Sequence, residues 1–493
     1  MMMKYSKFMS FSCFFLIFAI THVESYLGIN WGRMSNQRLI PSMAVDMLLQ
    51  NGIRNVKVYS SSANVIQAFS GTDIEITMTI PNNDLKNITN VEEAKDWLQE
   101  RVAPFDDVNI RYITVGTQPL SSTFNRTYYH AVDVLMYLQN ALKEAEYANR
   151  GIKAALTHFT DVLNEVKLPS EADFRPEIKD AVIHSCQLLI EDNSPLWFDI
   201  FPIHNVKRLF GNDIEFAFFD NNSTSKFMDG DNKYNNIFEV MFDTFISALR
   251  KAGLSNMTII AGQVGWPTDG IDGANILNAE KFHKGLIEHV LNGKGTPLYP
   301  GPINAFVHSM ADETKLKILI GGFTRHWGIY KFDGKPKYNI DFSGEGRNIK
   351  PVSGKGITHM PKRWCVFNNE TIDMEKIKTH YDNACNVSDC TSMAPGGSCG
   401  DLGFPHNISY AFNMYFQSRS QKVSEEACDF EGLGVIVPND PSTNTCSFPV
   451  EILSAESYGG DGILFGNAVR HISMKSQKAF YFSLLLMSFF LLI

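Results

Sequence analysis

Side chains that could do chemistry gather at the ends of apolar segments in this sequence. These amides, carboxylates and aromatic rings occur at six places: Asn30-Trp31, Gly116-Thr117-Gln118, Asp161, Phe201-Pro202, Gln263 with Gly265-Trp266-Pro267, and Asp312-Glu313. Aromatic faces pack against sugar rings, and amides and carboxylates pair with hydroxyl groups, so this combination favours a polyhydroxy ligand. The alternative is that Trp31 and Trp266 only fill the end of a hydrophobic core, where tryptophan is often buried. Composition alone does not choose between the two.

The apolar segments themselves have the spacing of parallel strands. Eight β-rich runs alternate with helical patterns: Tyr26–Trp31, Val56–Tyr59, Ile74–Ile80, Ile110–Val115, Ile152–Thr157, Leu196–Ile203, Thr258–Val264 and Ile303–His308. Such runs joined by helices predict a (β/α)₈ TIM barrel over residues 26–345, with its functional residues at the carboxyl ends of the strands. A doubly wound sheet is less favoured, because Leu27–Gly32 lacks the glycine pattern of a phosphate-binding loop.

A second region begins where the cysteines cluster. Residues 346–360 contain Gly, Pro and Ser at close intervals and are predicted to be a linker. Six cysteines follow within residues 361–452: Cys365, Cys385, Cys390, Cys399, Cys428 and Cys446. Their spacing lacks the paired ligands of a zinc site, so we predict a small module held by three disulfides, whose pairing the spacing leaves open. Cys186 stands apart in a helical stretch and is predicted to be a buried apolar residue.

The amino terminus has the three parts of a signal peptide. Lys4 and Lys7 precede the apolar run Phe8–Ile20, and a short polar stretch ends before Tyr26. Residues 1–25 are therefore predicted to direct the chain into the secretory pathway and to be removed.

The carboxyl terminus has the pattern of a GPI-anchor signal. An apolar tail, Ala479–Ile493, follows a basic spacer, and small residues precede that spacer. We expect attachment at Gly466 or Asn467, after a tail over 453–466, with 467–493 removed as the propeptide. Sequons typical of exported glycoproteins occur at Asn87, Asn125, Asn221, Asn222, Asn256, Asn369, Asn386 and Asn407.

Composition excludes several classes of function. The chain has 493 residues, 44% of them hydrophobic, and a formal net charge of −9. That balance is typical of a large globular protein, and its acidity argues against nucleic acid as a partner. The 13 histidines show no metal-ligand spacing, so no metal or organic cofactor is expected.

Six short motifs then occur in the order seen in one known family. They are Leu27–Gly32, Val56–Tyr59, Thr114–Gly116, Asp173–Ile178, Gly265–Thr268 and Arg325–Ile329. Together they resemble plant glycoside hydrolase family 17, the glucan endo-1,3-β-glucosidases, across the region predicted to be a barrel. The stretch from Trp364 to Cys446 resembles the family 43 carbohydrate-binding module. This second resemblance implies the disulfides Cys365–Cys428, Cys385–Cys390 and Cys399–Cys446, and the whole arrangement resembles the GPI-anchored form of these glucanases.

The resemblance breaks at the two catalytic positions. Family 17 enzymes use one Glu as acid/base and another as nucleophile, and Gln118 and Gln263 stand in their places. An amide has no acidic proton to give, a loss worth about 10²–10⁴ in rate, and it cannot form the covalent intermediate. Further departures from the family are Asp199, Phe201, Leu316 and Thr324. The resemblance and the strand ends together predict ligand-binding roles for Asn30, Trp31, Asp161, Phe201, Trp266 and Glu313.

We therefore expect a monomeric β-1,3-glucan (callose-type) binding protein with lost or strongly reduced hydrolysis, anchored by GPI to the outer face of the plasma membrane or in the cell wall. Two alternatives stay open. One is a working glucanase in which Asp161, Asp199 or Glu313 has taken over catalysis. The other is a wall–membrane linker whose barrel binds nothing.

Overall fold

The computed structural model describes residues 25–123, 130–211, 213–220, 222–371, 373–422, 426–453 and 455–457. Residues 1–24 of the predicted signal peptide, the predicted anchor with Gly466 and Asn467, and the sequons at Asn125 and Asn221 lie outside them. Within the described part, no helix is long and apolar enough to cross a membrane.

Strands and helices alternate through the first two thirds of the chain. The strands are β1 (Leu27–Trp31), β2 (Gln37–Leu39), β3 (Asn55–Val58), β4 (Glu75–Ile80), β5 (Ile110–Val115), β6 (Lys153–Ala155), β7 (Thr157–Phe159), β8 (Leu196–Ile200), β9 (Phe227–Asp229), β10 (Asn232–Tyr234), β11 (Ile259–Val264), β12 (Asn304–Val307), β13 (Trp364–Phe367), β14 (Gly434–Val437) and β15 (Ala455–Ser457). The helices are α1 (Pro41–Gln50), α2 (Ala63–Gln67), α3 (Val91–Arg101), α4 (His130–Glu144), α5 (Lys179–Glu191), α6 (Pro202–Phe210), α7 (Ile237–Lys251), α8 (Ile276–Leu291), α9 (Met374–Val387) and α10 (His406–Ser418).

The largest sheet is a closed parallel barrel. Its strand order is β6-β5-β4-β3-β1-β12-β11-β8-β7. Strands β6 and β7 are two halves of one strand, separated by Leu156, whose carbonyl accepts a hydrogen bond from Trp197 N at 3.2 Å. The two edges of the sheet therefore belong to the same strand, and eight strands close the barrel. Each of the eight predicted runs overlaps one of them, so the predicted (β/α)₈ barrel is confirmed.

Large apolar side chains fill the amino-terminal half of the barrel interior. Ala155, Trp197, Ile260 and Phe306 form a buried cluster there. Gly28 lies against the Phe306 ring, where an added Cβ would come within 2.4 Å of a ring carbon, so only glycine fits this position. This plug leaves the carboxyl ends of the strands, which we call the barrel mouth, to polar residues.

The carboxyl-terminal module is built from two helices, a strand pair and three disulfides. Helix α10 packs on α9 and on β13, and β13 pairs antiparallel with β14. The disulfides are Cys365–Cys428, Cys385–Cys390 and Cys399–Cys446, the pairs that the resemblance implied. Cys186 is free and fully buried in the barrel layer, as predicted, and burial raises the pKa of its thiol to about 12.

The segment predicted to be a linker lies on the barrel surface. Val352 N donates to Asn51 Oδ1 at 2.8 Å, and the Tyr330 hydroxyl donates to Val352 O at 3.1 Å. Where the chain enters and leaves the module, the two segments pair with each other: Met360 N donates to Glu451 O at 2.8 Å and Leu453 N to Thr358 O at 2.6 Å.

The module also contacts the loops of the barrel mouth. Arg325 forms a largely buried ion pair with Asp389, with 3.1 Å between nitrogen and oxygen. Asp269, close behind the end of β11, accepts hydrogen bonds from Ser398 N at 2.7 Å and Ser398 Oγ at 2.6 Å. Two barrel loops that border the mouth therefore also form part of the interface with the module.

Candidate active site

The loop after β5 presents Gln118 in a constrained conformation. The backbone of Gln118 has a φ of 49°, in the left-handed region that residues other than glycine rarely adopt. Asn82 holds the preceding residue from both sides: Thr117 N donates to Asn82 Oδ1 at 2.7 Å, and Asn82 Nδ2 donates to Thr117 O at 3.1 Å. Gly116 at φ 68° lets Asn82 come close, since a Cβ there would lie 2.3 Å from Asn82 Oδ1.

Gln118 is fixed at its other end by a buried carboxylate. Its Nε2 donates to Asp199 Oδ2 at 2.7 Å, and Asp199 is fully buried. Asp199 is the penultimate residue of β8 and is paired in register with Gln263 of β11. Its other oxygen, Oδ1, rests on Gly262, where an added Cβ would be 2.6 Å away. The two glutamines and Asp199 therefore form one packed group.

A buried lysine lies next to this group. Lys57, on β3, donates from Nζ to Thr157 Oγ1 at 3.1 Å and stands 4.7 Å from the Trp197 ring centroid. Burial lowers the pKa of Lys57, and the charge of Asp199 opposes that shift. Burial likewise raises the pKa of Asp199 to about 6, although Lys57 and the Gln118 hydrogen bond both favour the ionised form.

Glu313 approaches from the loop after β12. Its Oε1 accepts a hydrogen bond from Met34 N at 2.8 Å, and its carboxyl group packs on Gly32, where a Cβ would be 2.2 Å away. Burial raises the pKa of Glu313 to about 7. Burial, followed by the charges of Asp199 and Glu313, raises the pKa of Tyr59, so this phenol is close enough to both acids to feel their charge. We call Tyr59, Gln118, Asp199, Gln263 and Glu313 the mouth cluster.

Two further predicted residues shape the rim of the site. Asp161 Oδ2 accepts from Ser121 Oγ at 2.7 Å and from Thr123 N at 2.7 Å, so it ties down the loop that follows Gln118. Phe201 is 6% exposed and packs between Phe159 and Trp327, with ring centroids 5.1 and 5.2 Å away.

Trp266, which is predicted to contact the ligand, lies in the core and not at the barrel mouth. Its side chain is fully buried, packs on Phe218 and Phe282, and donates from Nε1 to Gly273 O at 3.0 Å. Trp31 is 4% exposed and packs on Phe69, so little of its side chain is accessible to a ligand. For these two tryptophans the core-filling alternative describes the packing better.

Asn30 acts from below the site. It is fully buried, and its Nδ2 donates to Gly262 O at 2.9 Å, so it supports the strand that carries Gln263. The sequons in the described part lie at the surface: Asn87, Asn222, Asn256, Asn369 and Asn386 are exposed, and Asn407 is half-buried.

Sequence reasoning missed the supporting residues Lys57 and Asn82. A lysine inside the apolar run Val56–Tyr59 was a usable signal, because a charged residue in a strand buried on both faces needs a polar neighbour. Asn82 gave no such signal, since an asparagine after a strand is usual in any turn.

Chemically, the mouth cluster offers amides, a phenol and two acids of raised pKa. Neither glutamine can protonate a leaving oxygen or attack an anomeric carbon, the two roles that carboxyl groups have in retaining glycoside hydrolysis. The amides, the phenol and the acids of the mouth cluster can all form hydrogen bonds with hydroxyl groups. Among the described residues, no three His, Cys, Asp or Glu side chains are grouped as metal ligands would be.

Comparison with known families gives two matches. The family described as glycosyl hydrolases family 17 matches residues 27–342, and the X8 domain matches residues 363–435. Among relatives, glucan endo-1,3-beta-glucosidase 8 of Arabidopsis thaliana is 37% identical over 441 residues, covering 87% of this chain and 90% of the relative. Glucan endo-1,3-beta-glucosidase 5 of the same plant is 34% identical, covering 91% and 93%.

Solved structures match the barrel region. CJP38, a beta-1,3-glucanase and allergen of Cryptomeria japonica pollen, has a TM-score of 0.61 at 27% identity, covering 64% of this chain and 99% of that one. A structure from a study of two plant beta-glucan endohydrolases with distinct substrate specificities has a TM-score of 0.58 at 27% identity, with the same coverage.

Proposed function

Because the chain belongs to glycosyl hydrolases family 17 and carries an X8 domain, we propose that it binds β-1,3-glucan at the barrel mouth, with hydrolysis lost or strongly reduced. The relatives above are named for cleaving such a glucan, and their names supply the substrate class. The protein would thus bind the same class of glucan as its relatives without cleaving it efficiently.

One observation carries the proposal: Gln118 is held at φ 49° by partners on both sides. A left-handed backbone at a residue other than glycine costs about 1–3 kcal/mol and persists only where the surroundings fix it, most often at functional sites. Keeping this geometry without the acid is expected of a site that still holds a ligand.

A second candidate, a glucanase with relocated carboxylates, has one point in its favour. A pKa of about 7 for Glu313 is in the range of a general acid. However, Asp199 is fully buried, and the Glu313 carboxyl is engaged by Met34. We therefore favour binding without cleavage.

The cellular setting is proposed from the ends of the sequence. A signal peptide over 1–25 and an anchor site at Gly466 or Asn467 would place the barrel at the outer face of the plasma membrane or in the cell wall, as a GPI-linked monomer. Glucan in the wall would then be within reach of the mouth and of the module. Release of the protein from membranes by a phospholipase specific for GPI tests this part.

The central test combines binding with hydrolysis. Calorimetry with laminarihexaose, a β-1,3-linked glucose oligomer, should show binding by the wild type, and a reducing-end assay should show no cleavage. Gln118→Glu/Gln263→Glu should gain cleavage, whereas Gln67→Glu, an exposed control, should not. Cleavage by the wild type would establish the second candidate, and absence of binding would favour the linker whose barrel binds nothing.

A further inference from the structure

The Gln118–Asp199 hydrogen bond determines which end of an amide faces the barrel mouth. An ionised carboxylate only accepts hydrogen bonds, so the group that Gln118 turns toward Asp199 must be its NH₂. Oε1 of the same planar amide then points away from Asp199. We propose that Asp199 is a positioning residue, which fixes Gln118 so that its carbonyl oxygen accepts a hydroxyl group of the bound glucan; this rests on the proposed function.

Asp199 has little freedom to turn or withdraw. It is fully buried, and Oδ1 is blocked by the close approach of Gly262. No described residue donates a hydrogen bond to Oδ1, so Oδ2 and its bond to Gln118 determine how the group is held. Because Asp199 itself is out of reach of a ligand, it acts on the ligand through Gln118.

The charges around Asp199 are few. The titratable groups that face it are Lys57 from β3 and Tyr59 just beyond the end of that strand, while β5 and β11 contribute the neutral Gln118 and Gln263. Lys57 favours an ionised Asp199, and ionisation is what forces the amide into a single orientation. A protonated Asp199 could donate to Oε1 instead, and the NH₂ group would then face the ligand.

A cycle of substitutions tests this assignment in the full chain, with laminarihexaose affinity as the readout. Asp199→Asn should weaken binding about tenfold, the usual scale of one charge-assisted hydrogen bond. Gln118→Glu should weaken it similarly, because two carboxylates would then be in contact. Gln118→Glu/Asp199→Asn should restore affinity to within about threefold, because the introduced amide donates to one oxygen of the introduced carboxylate and leaves the other oxygen free for the ligand. Any binding at the module would be the same in all variants, so differences between them report on the barrel mouth.

The pH profile separates positioning from general support of the fold. Wild-type affinity should fall as the pH drops through about 6, where Asp199 takes up its proton, and Asp199→Asn should lack this step. Asp243→Asn is the matched control: this carboxyl is also fully buried with a pKa raised to about 6, but it bonds Leu298 N on the outer layer, so affinity and profile should not change.

The outcomes are distinguishable. The positioning role is overturned if Asp199→Asn binds laminarihexaose as tightly as the wild type, or if the double variant binds as weakly as the single variants. The proposed function would still stand. No binding by the wild type overturns the proposed function and this inference with it. Loss in each single variant, recovery in the double variant, and a step near pH 6 that Asp199→Asn lacks and Asp243→Asn keeps would support both.

Discussion

The side chains around position 118 match an amide and not an acid. Asp199 accepts from Gln118 at 2.7 Å, so a glutamate introduced there would meet a carboxylate at hydrogen-bond distance. Two carboxylates that close share one proton, because both cannot be ionised together. Introducing an acid at position 118 therefore requires a change at Asp199 as well.

This argument predicts that a third substitution, at Asp199, increases the rate of hydrolysis by the double variant. Gln118→Glu/Asp199→Asn/Gln263→Glu should cleave β-1,3-glucan at least about tenfold faster than Gln118→Glu/Gln263→Glu at neutral pH, since its acid/base can release and regain a proton freely. Reducing-end assays from pH 5 to 8 measure the ratio. Equal rates of the two variants over that range would show that Asp199 does not disturb a restored acid.

For single residues, the sequence predicted which side chains lie at the mouth better than it predicted which side chains contact each other. Strand ends located Gln118, Gln263 and Glu313, because parallel strands in a barrel all end at one face. The partner of Gln118 was out of reach, since Asp199 lies 81 residues away and only the closed barrel brings the two together. Trp266 was misplaced because a tryptophan next to a strand end fits the mouth and the core equally well by sequence.

The loop after β5 is held in its conformation by one side chain, Asn82, from the segment that follows β4. Asn82 makes two hydrogen bonds to the backbone of Thr117, and Gln118 comes next in a left-handed conformation. Hydrogen bonds to a neighbouring residue are what can hold such a conformation when glycine is absent.

We predict that Asn82→Ala weakens glucan binding and lowers stability. Two backbone groups would lose their partners, at a cost of about 1–3 kcal/mol, and Gln118 could relax to an ordinary conformation. Chemical unfolding and calorimetry with laminarihexaose measure the two effects, with Asn83→Ala, an exposed neighbour, as the control. A normal affinity in Asn82→Ala would mean that the loop holds its shape without this side chain.

The sequence predicted where strands occur, but it predicted the residues at which they end less well. The run Leu196–Ile203 predicted one long strand, whereas β8 stops at Ile200 and α6 begins at Pro202. Proline suits the first turn of a helix, and this boundary signal competes with the apolar character of the following residues. The break at Leu156 between β6 and β7 had no signal in an otherwise apolar stretch.

At the scale of the whole molecule, the module is fastened to the same loops that border the mouth. Asp269 and Arg325 contact Ser398 and Asp389 of the module, and both barrel residues belong to segments that follow strands of the site. The order of barrel and module was predictable from the sequence. Their interface was not, because polar residues in loops give no indication of which surface they meet.

We predict that Asp269→Ala loosens the module without unfolding the barrel. Two hydrogen bonds from Ser398 to a charged acceptor would be lost, a change of about 1.5–3 kcal/mol each before relaxation. Hydrogen exchange should speed up around Ser398 and stay slow in β11. Asp272→Ala removes an exposed carboxyl nearby and should have little effect; unchanged exchange in Asp269→Ala would show that other contacts suffice to hold the module.

The pairing of the two segments that flank the module has a mechanical consequence. Thr358 and Met360 on the incoming side are bonded to Leu453 and Glu451 on the outgoing side. A pulling force applied along the chain beyond this point would pass from one segment to the other across these hydrogen bonds and then into the barrel. The module would carry tension only after these bonds had broken, so it could stay folded and able to hold a ligand while the chain around it was under load.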